Sequence, residues 1–257
     1  MTVSLDSAFE SPQAKRTYVR KLFATIADRY DLITAVLSYG QDQRWKAKLV
    51  SLADVRRGER ALDLAAGTGD IAFAVAARGA RTIGLDITHR MLQLAHAKSS
   101  AASFITGDMT SLPFRSSSFD LVTTGYGLRN VPDLNTAIDE IARVLKPGGR
   151  LLSLDFNRPE SAIVRSAYLG YLTVVGSTLG WILHRDPETY RYIPASIRRY
   201  PGARGVAERL TAAGFDRVTV IPLLFGLMSL HLATLSNGLA SRHGFDDRDN
   251  GPVANGR

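Results

Sequence analysis

The residues in this chain that could do chemistry are acids and glycines at the ends of apolar runs. The stretch LDLAAGTGD, residues 62–70, sets Gly67, Thr68, Gly69 and Asp70 in a tight turn that leads into IAFAVAARG. A dinucleotide-binding turn reads G-x-G-x-x-G and receives a pyrophosphate on backbone N–H groups at a helix N-terminus. Here there are two glycines, not three, and Asp70 closes the turn where a phosphate would be repelled. A second acid, Asp86, ends the run RTIGLD, and a third, Asp108, follows ASFITG. An acid after the second strand of a doubly wound sheet hydrogen-bonds a ribose diol. Its other use is to cap the next helix, a task for which Thr88 is also available.

These acids mark strand ends only if the chain alternates strands with helices, and its apolar pattern predicts that it does. Strand RALDLA precedes helix DIAFAVAAR, RTIGLD precedes HRMLQLAHAKS, and ASFITGD is a third strand. FDLVTTG, helix LNTAIDEIARVL and RLLSLDF follow, and near the end helix GARGVAERLTAAG leads to DRVTVIPL and LMSLHLATL, a hairpin around Phe225-Gly226. The predicted fold is α/β and Rossmann-like: a doubly wound, mostly parallel sheet with a C-terminal antiparallel edge hairpin. Residues 1–15 read as a disordered polar tail, 16–240 as one domain and 241–257 as a second disordered tail. Within the domain, residues 16–57 read as N-terminal helices, broken near Tyr30-Asp31 and Ser38-Tyr39-Gly40, and residues 157–201 as a helical insertion. That insertion holds SAYLGYLTVVGSTLGWIL, a run without charge at the lower edge of membrane-spanning length. Its three glycines and its place inside an α/β pattern favour a helix packed on the domain or covering a greasy pocket.

Ligand and partner classes narrow from here. The 257 residues include no cysteine, and the five histidines are scattered, so neither a disulfide nor a metal site is expected. MTVSLDSAFESPQAKR lacks a basic-then-apolar leader, which predicts a cytoplasmic protein. The formal charge of +8 suits a solvated basic face or an anionic membrane surface. No nucleic-acid-reading motif accompanies it, so no nucleic-acid partner is expected. Three acids at three strand ends suit a cationic nucleoside better than an anionic dinucleotide, and S-adenosylmethionine carries a sulfonium and an ammonium instead of phosphates. In that reading Asp86 meets the ribose, and Asp108 can accept from the adenine amino group.

The ordered stretches LDLAAGTGD, GLDIT, GDMTSLPFRSSSFDLVTTGYGLRNVPD and RVLKPGGRLLSLDFNRP resemble the successive motifs of class I S-adenosylmethionine-dependent methyltransferases. FATIADRYDLITAVLSYGQDQRWK, YGLRNVPD and YRYIPASIRRYPG narrow the resemblance to the menaquinone and ubiquinone C-methyltransferase family, over roughly residues 18 to 235. The resemblance implies a class I methyltransferase fold and C-methylation of a polyprenylated quinol, demethylmenaquinol to menaquinol or the benzoquinol step of ubiquinone synthesis. It implies a cofactor site of Gly67, Thr68, Gly69, Asp86, Asp108, Met109 and Gly125, the last standing where the family often has a serine. It also makes Arg129 and Asn130 catalytic candidates, with Arg129 stabilising the phenolate of the ring or positioning water; the alternative is that Arg129 pairs with Asp133 on a loop surface. Tyr30 is a further catalytic candidate, and Tyr126, Tyr192, Arg198 and His184 are candidate substrate contacts. A quinol with a long tail implies work at a membrane surface, and a homodimer is compatible with the reading. The rivals are a methyltransferase of a sterol or phospholipid, and a basic nucleic-acid-binding protein on the same fold. An NAD dehydrogenase is disfavoured by Asp70 and the missing third glycine.

Overall fold

A computed structural model of the chain describes Leu5 and residues 7–238. Three helices come first: α1 (Pro12–Ile26), α2 (Tyr30–Leu37) and α3 (Asp42–Leu52). The alternating part follows as β1 (Arg60–Leu64), α4 (Asp70–Ala76), β2 (Arg81–Asp86), α5 (His89–Lys98), β3 (Ser103–Thr106), β4 (Phe119–Gly125), α6 (Leu134–Val144) and β5 (Leu145–Phe156). Then come α7 (Ala162–His184), α8 (Tyr192–Arg199), α9 (Gly202–Ala212), β6 (Phe215–Leu223) and β7 (Met228–Leu235). The sheet order is β3-β2-β1-β4-β5-β7-β6, with β1 to β5 parallel and β7 antiparallel to both neighbours. The predicted edge hairpin is there, with β7 rather than β6 beside β5. Strand order reverses between β1 and β4, so the crevice for a ligand opens beyond their carboxyl ends.

Each face of the sheet is covered according to its periodicity. Ala137, Ile138, Ile141 and Val144 fall on one stripe of α6 and bury with Val206 and Leu210 of α9 against Leu62, Leu64 and Val122. Trp45, Leu49 and Val50 of α3 bury with Ile71 and Val75 of α4 against Ala61 and Leu121.

The N-terminal tail is shorter than predicted. Ser11 caps α1 by accepting from Ala14 N, and Pro12 fits the first helical turn, where no N–H is needed. Ala8 is fully buried and Phe9 stacks on Tyr192, so residues 7–15 belong to the domain. The break after α1 falls at Ala27–Arg29, one short turn before Tyr30. The predicted 241–257 tail lies outside the described residues.

Helix α7 extends the uncharged run at both ends. Its packed face (Tyr168, Leu169 and Leu172) joins Ile197 of α8. Two of its glycines serve close approach rather than helix breaking. A Cβ on Gly180 would stand 2.4 Å from Asp186 O, and one on Gly176 would stand 3.1 Å from Tyr190 Cβ, whereas Gly170 faces open space. Gly180→Ala should therefore push the Asp186–Tyr190 segment off the helix and cost about 1–3 kcal/mol. Gly170→Ala should stabilise by about 0.5–1 kcal/mol through helix propensity. Urea unfolding of the two variants checks both signs, and equal effects would mean that α7 does not dock through Gly180.

Candidate functional site

The turn after β1 is built from left-handed backbone: φ is 53° at Ala65, 55° at Gly67 and 92° at Gly69. Gly69 is also the residue before α4, and a Cβ there would meet the Phe73 ring at 2.6 Å. Asp86 holds this turn in place. Its Oδ2 accepts from Gly67 N at 2.9 Å and its Oδ1 from Thr88 N at 2.8 Å. Burial raises its pKa, against the pull of these bonds. The Thr88 hydroxyl makes no capping bond, so the expectation that Thr88 would relieve Asp86 of that task is corrected: Asp86 fastens both the turn and the start of α5.

A cleft of about 660 Å³ opens at this turn, lined by Gly67, Asp86, Met91, Asp108, Met109, Gly125 and Asn130 among others. Asp108 borders it with both oxygens engaged: Oδ1 accepts from Thr110 N and Oγ1, and Oδ2 pairs with Arg16 at 2.6 Å. Gly125 is glycine for a physical reason, since a Cβ would meet Ile71 Cδ1 at 2.7 Å. Thr68 does not line this cleft; it is buried, its hydroxyl donates to Asp31 Oδ1 at 2.7 Å, and it lines a smaller recess beside it. Asp70 is not a free acid either. Burial raises its pKa, but Lys46 at 2.9 Å, Gln43 and Lys98 outweigh burial and hold it low. The repulsion assigned to it at the turn is therefore largely neutralised.

A second cavity, about 910 Å³ and mostly apolar, lies under α1, α2 and α7. The two cavities share only Phe23, Tyr30 and Tyr126 among the described residues. Tyr30 opens α2 at that junction, and burial pushes its pKa up to about 12, so it is a neutral hydroxyl. Tyr126 takes a left-handed φ of 61°, held by its N–H on Leu154 O and by Asn130 Nδ2 on its own carbonyl at 2.7 Å. Asn130 Oδ1 is buried without a partner at the edge of the cleft.

Arg129 is the one charged residue among the described residues that line the apolar cavity. Its partner is not Asp133, which instead caps α6 by accepting from Thr136 N. Arg129 is buried, with its Nε 3.4 Å from Asp155 Oδ1, its Nη1 on Ser196 Oγ, and its plane over Phe156 at 5.1 Å. Lys15 Nζ donates to its carbonyl, and burial and then Arg129 itself push Lys15 down to about 8. Tyr192 lines the same cavity, stacked between Phe9 and Tyr18. His184 and Arg198 do not. His184, the last residue of α7, bonds Tyr190 Oη at 2.8 Å, and Arg198 is exposed to solvent. Sequence reasoning missed Asp155, although an acid ending the apolar run RLLSLDF is the same signal that singled out Asp86. It also missed Asp42 and Lys46, an i, i+4 pair on α3. No group of metal-ligating side chains occurs among the described residues.

The ubiE/COQ5 methyltransferase family model matches residues 11–235. The ubiquinone/menaquinone biosynthesis C-methyltransferase UbiE of Serratia proteamaculans is 37% identical over 84% of this chain and 90% of its own length. A demethylmenaquinone methyltransferase of Streptomyces avermitilis is 37% identical over 83% of this chain and 92% of its own. Among solved structures, the magnesium protoporphyrin IX methyltransferase of Synechocystis PCC 6803, solved with bound SAH, superposes with a TM-score of 0.61 at 21% identity, over 86% of this chain and 100% of that one; this is a likeness of fold.

The Arg129–Asp155 pair carries a stability prediction. Arg129→Ala leaves a buried carboxylate without its cation and should cost about 3–5 kcal/mol. Asp133→Ala removes only a helix cap and should cost about 1 kcal/mol. The double variant should be close to additive, because the side chains of the two residues bond different groups. Denaturant unfolding of all three gives the cycle, and a coupling energy between them would restore the surface pair.

Proposed function

The chain belongs to the ubiE/COQ5 methyltransferase family, and from that premise we propose that it transfers a methyl group from S-adenosylmethionine to a ring carbon of a polyprenylated quinol. The observation that carries this reading is that, among the described residues, Arg129 is the single charged side chain in an apolar cavity that meets the acid-lined cleft at three aromatic residues. The menaquinone step is the one common to the names of both relatives, so demethylmenaquinol is the acceptor we propose, with the benzoquinol of ubiquinone synthesis as the alternative.

The cleft suits the cofactor. Among the described residues its charged lining is Asp86, Asp108 and an Arg16 already paired to Asp108, a net negative set with no free cation for phosphate. Asp86 would accept from the ribose hydroxyls, and Met109 and Asp108 would border the adenine. Gly125 keeps the wall flat, and Asn130 offers a buried carbonyl oxygen that has no partner among the described residues. When bound, S-adenosylmethionine supplies the electrophilic methyl group. The chain supplies the rest. Phe23, Tyr30 and Tyr126 bring the acceptor ring against the cleft, and proximity and orientation of this kind are worth about 7–11 kcal/mol. Arg129 would stabilise negative charge on a ring oxygen, favouring the ionised quinol whose proton has passed to water. It stays a cation throughout.

Two experiments test this reading. Saturating S-adenosylmethionine should raise the melting temperature, by a stabilisation of about 2.7 kcal/mol at a hundredfold excess over Kd, and NADH should not. Single-turnover assays with short-tailed demethylmenaquinol and the corresponding benzoquinol should give methylation, faster with the former. A protein stabilised only by NADH, or inert on both rings, would refute the assignment.

The tail of such a substrate has a way out. Tyr39 and Tyr171 stack at 5.9 Å on the rim of the apolar cavity and are both exposed. Leu32 and Val36 on α2, and Ile163, Val174, Trp181 and Ile182 on α7, are exposed on the same two helices. We place the protein as a peripheral enzyme on the inner face of the membrane, with these residues in the headgroup region. Trp181→Glu combined with Val174→Glu should weaken sedimentation with anionic vesicles about tenfold or more. Turnover of a short-tailed quinol in solution should stay unchanged. Equal vesicle binding by the variant and the parent would move the membrane contact elsewhere.

A further inference from the structure

Tyr126 lines both cavities, and the proton of its hydroxyl is already committed. Its Oη donates to Asp42 Oδ1 at 2.6 Å. Asp42 is buried at the start of α3 and cannot turn away, because Lys46 Nζ holds its Oδ2 at 2.6 Å. Lys46 is itself anchored on Asp70 at 2.9 Å, and Asp42 N donates to Ser38 Oγ. Burial and Asp42 together raise the Tyr126 pKa, so the group stays a neutral hydroxyl. An ionised carboxylate only accepts hydrogen bonds. The Tyr126 proton therefore points at Asp42, and what Oη can offer a bound ring is lone pairs.

We propose that Asp42, acting through Tyr126, makes this site select the reduced, hydroxyl-bearing form of the acceptor ring over its oxidised, carbonyl-bearing form. The inference rests on the quinol reading above and adds to it the residues that would read the redox state. A quinol O–H can donate to Tyr126 Oη. A quinone carbonyl would face lone pairs with no proton between them, and a buried polar group left unmatched is costly. The selection has a chemical use, because only the reduced ring is electron-rich enough to attack a methyl cation equivalent. Without it, the oxidised pool would occupy the cavity unproductively. Asp42 is a positioning residue in this scheme, since it reaches the ring only through Tyr126.

The geometry also predicts how to invert the preference. In Asp42→Asn the amide oxygen must face Lys46, an obligate donor. Its Nδ2 then faces Tyr126 and donates to Oη, which turns the tyrosine proton toward the cavity. Tyr126→Phe removes the hydroxyl and leaves the Asp42–Lys46 pair intact. The experiment is a pair of dissociation constants for each protein, for short-tailed demethylmenaquinol and for its quinone. They are read by quenching of tryptophan fluorescence, Trp45 being part of the cavity wall, with S-adenosylhomocysteine present to prevent turnover. The parent protein should prefer the quinol by about 10- to 100-fold. Tyr126→Phe should bring the ratio to within about threefold of unity, and Asp42→Asn should bring it lower still, toward the quinone. If Asp42→Asn does not fold, Tyr126→Phe alone decides. The same ratio in parent and Tyr126→Phe, or equal binding of both forms by the parent, overturns the proposal while leaving the quinol reading in place. Binding of neither ring by the parent overturns the quinol reading itself, and this proposal with it.

Discussion

The architecture turns on one buried ion pair. Asp155, at the end of β5, is fully buried, and burial raises its pKa against the nearby Arg129 guanidinium and the backbone N–H groups of Arg129 and Phe156. An isolated carboxylate at that depth would be expensive, so its cation has to be held there too. Holding Arg129 there recruits the rest of the cover. Ser196 brings in α8, Lys15 brings in α1, and Phe156 stacks under the guanidinium. The sheet, α1 and α8 thus meet at a single charged centre, and Arg129 is part of the cavity wall.

The same economy separates the two halves of the site. The cleft at the β1/β4 switch point has acids, glycines and thioethers, while the neighbouring cavity has aromatic rings and one cation. Such a division suits a reaction in which a positive donor and an apolar acceptor must approach while water is kept away. The junction is narrow because Tyr126 sits in left-handed backbone, a conformation that costs a tyrosine energy. Asn130 and Leu154 hold the tyrosine there by bonding its carbonyl and its N–H. Asn130 therefore acts first on backbone, and only its free carbonyl oxygen is left for a ligand.

Much of this was legible in the sequence where local patterning governs. The strand ends at Gly67, Asp86 and Asp108 follow from period-two and period-3.6 apolar patterns, and the structure puts all three on one cleft. The partners of charged residues were not legible. Asp133, four residues from Arg129, was the alternative partner, but it is Asp155 that reaches Arg129, through the β4–β5 register in which Gly125 pairs with Leu154. Sequence distance carries no information about that neighbour. Asp70 looked like a free acid for the same reason: its cations, Lys46 and Lys98, arrive from α3 and α5. The N-terminal tail was misread because polar composition concealed Ser11-Pro12, a helix start, and because Phe9 packs on Tyr192 and Arg199 of α8, nearly two hundred residues away.

Helix α7 shows why composition alone could not define its role. At 23 residues it is long and apolar enough to cross a bilayer. A spanning helix would have no reason to bring its backbone against a polar loop. Here Gly180 lies so close to Asp186 O that no side chain fits, and Asp186 N bonds back to Gly180 O. Gly176 admits Tyr190 in the same way, and Tyr190 lines the apolar cavity. The glycines thus seat one face of α7 on the loop that forms the cavity wall, while Val174 and Trp181 on its other side stay exposed. A helix fixed along one side and apolar along the other is what the proposed membrane contact requires. The long apolar sequence is what lets one element close the pocket on its inner side and remain compatible with lipid on its outer side.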